Sequence, residues 1–185
     1  MVKPWVCVRC QPERSFRVFA VRTDTAISPR TGARHNFYII ESGDWINVIP
    51  ITADRQVVMV RQYRHGSRQV TLEIPGGLVD SGDTPEKAAT RELLEETGYR
   101  ATQVVKIGEI NPNPAIFNNR CYTFLARNVK KVSDPTLDQA EDIDVVLVPL
   151  SNIPRLIRTG KIDHAMVIAA FSSYFLRNRK GLILP

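Results

Sequence analysis

Residues 77–99 read GLVDSGDTPEKAATRELLEETGY, and the helix predicted within this stretch organises the interpretation of the whole chain. Thr84 is a suitable N-cap, and Pro85 suits the first helical position. Gly98 is typical of the residue that ends a helix in the left-handed conformation. The pattern therefore predicts a helix from Pro85 to the turn at Gly98, preceded by a glycine-containing turn.

Three carboxylates of this helix are spaced so that they share one face. Glu92, Glu95 and Glu96 are three and four positions apart, and in an arbitrary helix we would read them as a solvated acidic face. Here a Gly76-Gly77 turn precedes the helix, and glycine allows backbone carbonyls to approach an ion closely. Carboxylate and carbonyl oxygens together are the ligands that Mg²⁺ prefers. The stretch therefore predicts a magnesium site.

The same residues resemble the Nudix box, G-x5-E-x7-R-E-U-x-E-E-x-G-U, in which U is aliphatic or apolar. Eight of its nine specified positions fit from Gly77 to Tyr99, and Asp83 stands where the family has Glu. The resemblance implies an α+β fold, an α/β/α sandwich with a mixed sheet between helices and an N-terminal antiparallel strand extension. It also implies a Mg²⁺-dependent hydrolase of diphosphate linkages, with Mn²⁺ as an alternative ion.

The resemblance assigns roles within the box residue by residue. Glu92 and Glu96 are the expected metal ligands, together with the backbone carbonyl of Gly76, and Glu95 lies beside them as a catalytic residue. Arg91 is expected to pair with residue 83 and so to position the helix. Because Asp is one methylene shorter than Glu, we expect this support to be looser while every metal ligand is kept.

Residues before the box narrow the resemblance to one subgroup. Gln62-Tyr63-Arg64 and Leu72-Glu73 are similar to the segments found in ADP-ribose and nucleoside diphosphate sugar pyrophosphatases. The similarity implies that Arg64 holds a substrate phosphate, since its planar fork binds two oxygens. It also implies that Glu73 is a further carboxylate of the substrate site, which binds metal or belongs to the water network. Without the family resemblance, a surface salt bridge is about as good an explanation of Arg64 as a phosphate contact. The alternative for Glu73 is a solvated acid at a strand edge.

Members of the subgroup form dimers through N-terminal strands, whose aromatic residues enclose the base. We accordingly expect residues 1–50 to be a dimer-forming strand region and residues 51–185 to be the catalytic domain. Phe19 and Phe37 are the candidate base-stacking residues, although each alone is better explained by core packing, and Trp5 and Trp45 are the weaker alternatives.

An acidic segment follows at residues 138–144, where the subgroup has a loop that closes over the substrate. Glu141 is the expected general base or additional metal ligand, with Asp138 or Asp142 able to share the task. The alternative is an acidic turn that precedes a strand.

Composition excludes several classes of protein. The 185 residues are 43% hydrophobic, which is enough for a core, and no apolar stretch is long enough to span a bilayer. The N-terminus does not resemble a signal peptide, so we expect a cytoplasmic protein without membrane partners. The net charge is +6 but the basic residues are scattered, so nucleic acid is not the expected partner.

Two alternatives to a nucleoside diphosphate sugar hydrolase remain. One is a pyrophosphohydrolase of dinucleoside polyphosphates or RNA 5′ ends, and the other is a non-catalytic nucleotide-sugar sensor.

Cys7 and Cys10 have C-x-x-C spacing, but no second such pair and no paired histidines complete a four-ligand zinc site. We interpret them as reduced cysteines near a strand start, and zinc would need ligands from a second chain.

We read the three histidines as incidental. Alternation and turn residues predict the remaining elements. Strands are expected at 15–23, 37–42, 44–51, 56–63, 70–74, 101–109, 121–128 and 144–149, and further helices at 152–159 and 162–177.

Overall fold

A computed structural model describes residues 1–178 of the chain. The strands are β1 Val6–Ser15, β2 Phe19–Ile27, β3 Arg34–Ser42, β4 Trp45–Ile51, β5 Gln56–Arg64, β6 Gln69–Glu73, β7 Gly76–Leu78, β8 Tyr99–Arg100, β9 Val104–Ile110, β10 Cys121–Arg127, β11 Lys130–Lys131 and β12 Ile143–Pro149. The helices are α1 Pro85–Thr97, α2 Ile153–Arg158 and α3 Ala165–Asn178, with a 3₁₀ turn at Leu150–Asn152 before α2. In this part of the chain no helix has the length and hydropathy needed to cross a membrane.

The chain divides into two compact units. The first contains residues 1–43 and 111–120, and the second contains residues 44–110 and those from 121 onward. The assignment of residues 1–50 and 51–185 to two domains stays a prediction.

The first unit is built on an antiparallel sheet in the order β1-β2-β3. β2 and β3 pair without interruption from Phe19 opposite Ser42 to Ile27 opposite Arg34. The predicted strand at 15–23 is wrong at its start, because a turn separates β1 from β2 and the Phe16 amide donates to the carbonyl of Phe19. The strand start expected near Cys7 and Cys10 is present, but the bounds of β1 were not predicted. All ten of its residues are exposed, so it lacks the alternation of buried and exposed residues that identifies a strand.

The second unit contains a mixed sheet in the order β12-β5-β4-β10-β9, with β6 on β5 and β7 on β4. β10 runs parallel to β4, and the other pairs are antiparallel. Alternate residues of the central strands enter two cores. Ile46 and Val58 pack with Leu93 of α1 on one face, whereas Ile49 and Phe171 lie in a core with residues of α2 and α3 on the other. The predicted α/β/α arrangement is confirmed.

Helix α1 begins and ends as its sequence predicts. The Thr84 hydroxyl accepts from the Lys87 amide, Pro85 occupies the first turn, and Gly98 is left-handed with a φ of 71°. Two other elements start three residues later than predicted, β9 at Val104 and α3 at Ala165. Ile162 fits the apolar period of α3, but it is buried in the core from the loop before the helix.

Candidate active site

The turn before α1 brings two glycines against strand β4. β7 pairs with β4 so that Gly76 lies opposite Asn47 and Gly77 opposite Ile46. The Gly76 amide donates to Oε2 of Glu96 at 3.0 Å. A Cβ at Gly76 would collide with the carbonyl oxygen of Ile46. This position therefore needs glycine for close approach of the backbone, because any larger side chain would push β7 away from β4.

The second glycine makes room for a carboxylate. A Cβ at Gly77 would lie 2.5 Å from Oε1 of Glu92, so the carboxylate rests against the Cα of this residue. Glu92 and Glu96 are one turn apart on α1, and both reach the β7 backbone. The structure thus brings together three of the residues predicted to hold a metal ion, Gly76, Glu92 and Glu96.

Burial sets the electrostatics of these two carboxylates. Glu96 is only 4% exposed, and burial raises its pKa to about 8. The charges of Glu92 and Glu141 also raise this pKa, whereas the hydrogen bond from the Gly76 amide lowers it. Burial likewise raises the pKa of Glu92. Clustered, desolvated carboxylates favour a bound divalent cation, since it would offset their mutual repulsion. The residues present therefore fit a Mg²⁺-type ion.

Arg91 lies at the centre of an ion-pair network beside this pair. Its Nη2 is 2.9 Å from Asp80, and its Nη1 is 2.9 Å from Glu92 and 3.1 Å from Glu95. The expected partner Asp83 is 3.9 Å from Nε, and Nε is buried without a hydrogen-bond partner among residues 1–178. The contact between Asp83 and Arg91 is therefore long, as expected from the shorter side chain of Asp. Sequence reasoning missed Asp80, which takes the close contact with Arg91.

Arg64 and Glu73 form a second pair, between β5 and β6. Nε and Nη2 of Arg64 each donate to one oxygen of Glu73 at 2.8 Å, which leaves Nη1 for another partner. Glu73 is 3% exposed and also accepts from the Thr71 hydroxyl at 2.5 Å. Burial acts to raise its pKa, but the hydrogen bonds from Arg64 and Thr71 outweigh burial and hold that pKa below its usual value. The solvated strand-edge alternative for Glu73 is therefore wrong.

A cavity of about 630 Å³ adjoins this pair in the second unit. Its lining includes Trp45, Arg64, Glu73, Gly77 and His164. His164 Nε2 is 3.8 Å from Glu73, although we read this histidine as incidental in the sequence. His164 and Glu73 are far apart along the chain, so only the fold reveals their proximity. The volume is within the range of small-molecule sites, about 300–1,000 Å³.

Glu141 lies in an exposed turn before β12. Its carboxylate accepts from the Asp138 amide at 3.0 Å, and its own amide donates to the Asp138 carbonyl at 2.9 Å. Its charge is one of the causes that raise the pKa values of Glu92 and Glu96. The acidic loop therefore lies within electrostatic reach of the two carboxylates, and Glu141 is itself accessible to solvent.

The structure does not bring Phe19 and Phe37 together within one chain. Phe19 is opposite Ser42, and Phe37 is opposite Asp24. Residues directly opposite each other on paired strands point to the same face, so Phe37 shares the face of Asp24. Phe19 and Asp24 are five positions apart on β2, and strand residues an odd number of positions apart point to opposite faces. The two phenyl rings therefore lie on opposite faces of the sheet. Phe19 contacts the ring of Phe16, and Phe37 contacts that of Trp5. Both are partly exposed, at 36% and 40%.

Comparison with known proteins places this site in a family. The model of the NUDIX domain matches residues 44–171, which include the glycine turn, α1 and the acidic loop. The chain belongs to the Nudix family. Its Nudix box spans β7, the following loop and α1, so the predicted family and fold are confirmed together.

Several relatives of this Nudix protein carry names that state an activity. An ADP-ribose pyrophosphatase of Bacillus subtilis is 28% identical over 78% of this chain and 77% of its own. A methanol dehydrogenase activator of Bacillus methanolicus is 31% identical over 84% of both chains. An ADP-sugar pyrophosphatase of Mus musculus is 31% identical over 74% of this chain and 67% of its own. A GDP-mannose pyrophosphatase of Enterobacter sp. is 29% identical over 70% of this chain and 72% of its own. A crystal structure of an ADP compounds hydrolase has a TM-score of 0.79 at 21% identity, covering 96% of this chain and 94% of its own.

Proposed function

We propose that this Nudix protein is a Mg²⁺-dependent hydrolase of nucleoside diphosphate sugars of the ADP-ribose, ADP-glucose or GDP-mannose type. Water would add to one phosphorus while the bond from that phosphorus to the bridging oxygen breaks. The products are a nucleoside monophosphate and a sugar phosphate. The observation that carries the proposal is the convergence of Glu92 and Glu96 on the Gly76-Gly77 turn. Relatives named for ADP-ribose, ADP-sugar and GDP-mannose support the substrate class.

Glu92, Glu96 and the Gly76 carbonyl would hold the ion. When bound, Mg²⁺ would offset phosphate charge and lower the pKa of the attacking water. Arg91 positions the side chains of Glu92 and Glu95 through its ion pairs with both.

Glu141 is the proposed general base. It is exposed, lies on a loop and acts electrostatically on Glu92 and Glu96, so it combines access to water with proximity to the carboxylate pair. Glu95 is the alternative base. Its carboxylate is 3.1 Å from Nη1 of Arg91, so it is already engaged in an ion pair and is better suited to a positioning role.

Arg64 and the adjoining cavity would hold the substrate. Glu73 and Thr71 anchor the guanidinium, and Nη1 remains to donate to a phosphate oxygen. A charge-assisted bond from a held donor orients the phosphate with less loss of side-chain entropy. The cavity beside Arg64 has room for the sugar or the base.

We also propose a homodimer formed through the N-terminal strands. Apolar side chains of this unit are exposed, among them Trp5, Val6, Val8, Phe37 and Tyr38. Trp5 and Phe37 contact each other and so form one exposed apolar patch, and such patches mark interaction surfaces. Because Phe19 and Phe37 lie on opposite faces of the sheet, stacking of both on one base requires two copies of the chain. Light scattering coupled to size exclusion tests the dimer, and a monomeric, fully active enzyme would exclude it.

A substrate panel tests the activity. ADP-ribose, ADP-glucose, GDP-mannose, UDP-glucose and dinucleoside polyphosphates are incubated with Mg²⁺, and the products are identified by chromatography and mass spectrometry. We expect at least one nucleotide sugar to give a nucleoside monophosphate and a sugar phosphate. Hydrolysis confined to dinucleoside polyphosphates, or no hydrolysis at all, would reject the assignment.

A further inference from the structure

The two cysteines of β1 lie on one face of the N-terminal sheet. β1 shifts register against β2 between Cys7 and Arg9, so that Cys7 is opposite Ala26 and Cys10 is opposite Asp24. Residues three apart in a regular strand point to opposite faces, but the extra residue of the bulge restores both thiols to the same face. The two sulfurs are 3.2 Å apart.

A carboxylate from the neighbouring strand completes this cluster. One ligand atom from each of Cys7, Cys10 and Asp24 lies within 4.8 Å of the other two. A Zn–S bond of about 2.3 Å in tetrahedral geometry places two sulfurs about 3.8 Å apart. The observed spacing therefore needs only small side-chain movements to accept an ion. Both cysteines are exposed, so an ion can reach them.

Charge around the cluster also favours a cation. Arg22 donates to both oxygens of Asp24, at 2.9 and 3.0 Å, and to Glu41. If both thiols ionise, Cys7, Cys10, Asp24 and Glu41 carry four negative charges, and Arg22 is the cation seen in contact with the two carboxylates. A divalent ion offsets part of that excess, and thiolate ligands select soft or borderline ions such as Zn²⁺ over Mg²⁺.

We propose that Cys7, Cys10 and Asp24 form a site for a thiophilic divalent cation of the Zn²⁺ class. Three protein ligands leave a fourth position for solvent or an added donor. The ion would tie the edge strand β1 to β2 at the bulge. This site is separate in the chain from the proposed magnesium ligands and does not depend on the proposed hydrolase activity.

Cobalt(II) is the probe for this site, because thiolate ligation gives an intense charge-transfer band in the near ultraviolet that carboxylate ligation does not give. The full chain is reduced, freed of metal and titrated with Co²⁺. We expect one equivalent to develop the band and Zn²⁺ to bleach it. Cys7→Ser and Cys10→Ser should each abolish it, and Asp24→Asn should weaken the apparent affinity at least tenfold.

Cys121→Ala is the matched control, since Cys121 is the remaining thiol and lies in the other unit. It should leave the charge-transfer band unchanged, and circular dichroism checks the fold of each variant. Zn²⁺ should also slow proteolysis within β1 in the wild type but not in Cys10→Ser. The proposal fails if the reduced protein gives no band, or if the band persists in the Cys7→Ser/Cys10→Ser double variant. It also fails if the two thiols are found only as a disulfide that binds no metal.

Discussion

The two buried carboxylates of the candidate site, Glu73 and Glu96, differ in how many hydrogen-bond donors offset the cost of burying their charge. Glu96 is buried with one amide donor, and its pKa rises to about 8. Glu73 is equally buried, but a guanidinium and a hydroxyl hold its pKa low. Two equally buried carboxylates therefore differ: Glu96 favours an added cation, whereas Glu73 is ionised at neutral pH and anchors Arg64. Each environment gives a separate prediction.

Arg64→Met should destabilise the protein in a pH-dependent way. The pKa of Glu73 lies below its ordinary 4.5, so its pairing stabilises the fold above that pH and the contribution disappears as pH falls through the lowered pKa. Because Arg64 is 42% exposed, solvent screening reduces the expected loss near pH 7 to about 1–2 kcal/mol. Urea unfolding at pH 7 and near pH 3.5 measures the difference between variant and wild type.

Arg61→Met is the control for this experiment. Arg61 belongs to the same strand and pairs with Asp144 at 3.4 Å, but both side chains are more than half exposed. Its replacement should change stability little at either pH. A deficit in Arg64→Met that is equal at both pH values would contradict the ionised, guanidinium-held state of Glu73.

Asp83→Glu should stabilise the helix contact. The extra methylene lets the carboxylate approach Nε of Arg91, which is 3.9 Å from Asp83 and has no hydrogen-bond partner among residues 1–178. Satisfying a buried donor is worth up to about 1 kcal/mol. Thermal unfolding should show a higher midpoint, whereas Asp134→Glu, at an exposed ion pair, should not. An unchanged or lower midpoint in Asp83→Glu would show that Arg91 cannot use the longer side chain.

At the level of elements, the β7–α1 connection depends on two glycines for different reasons. A methyl at Gly76 meets the backbone of β4, whereas a methyl at Gly77 meets the end of the Glu92 side chain. A backbone cannot yield without breaking the β4–β7 pairing, but a side chain can rotate away. The two substitutions should therefore separate stability from activity.

Gly76→Ala should lower the free energy of unfolding by about 1–3 kcal/mol, the usual effect of overpacking. Gly77→Ala should change it by less than about 1 kcal/mol but displace Glu92, so that half-maximal activity needs more Mg²⁺. Gly66→Ala, where a methyl meets open space, is the stability control. Equal effects of Gly76→Ala and Gly77→Ala on both quantities would refute this distinction.

Local signals explain which elements could be predicted. Helix α1 carries its own caps at Thr84 and Gly98, and the buried β4 and β5 are runs of apolar β-formers. Strand β1 has no buried face, so an alternating pattern could not give its bounds beyond the strand start expected near Cys7. The approach of His164 to Glu73 depends on how α3 and its preceding loop pack on the sheet. Contacts of this kind, between residues distant in the chain, have no counterpart in a single sequence.

For the whole molecule, the proposed chemistry is confined to the second unit. The Nudix box, Arg64 and the acidic loop all lie there, within the residues matched by the family. The first unit carries the exposed aromatic residues and the cysteine cluster, so we expect it to serve base stacking, dimer formation and metal binding. Relatives named for ADP-ribose and for GDP-mannose both match the chain, so the preferred base of the substrate has to be found by experiment.

The central claim is that Glu96 acts in Mg²⁺-dependent hydrolysis of a nucleotide sugar. The most direct measurement is the rate at which AMP and ribose 5-phosphate are released from ADP-ribose, or the matching products from the best substrate of the panel. Glu96→Gln should lower kcat by about 10³-fold or more and retain the fold. Glu86→Gln, an exposed carboxylate in the first turn of the same helix, should keep the wild-type rate. A Glu96→Gln enzyme that turns over at the wild-type rate would contradict the account.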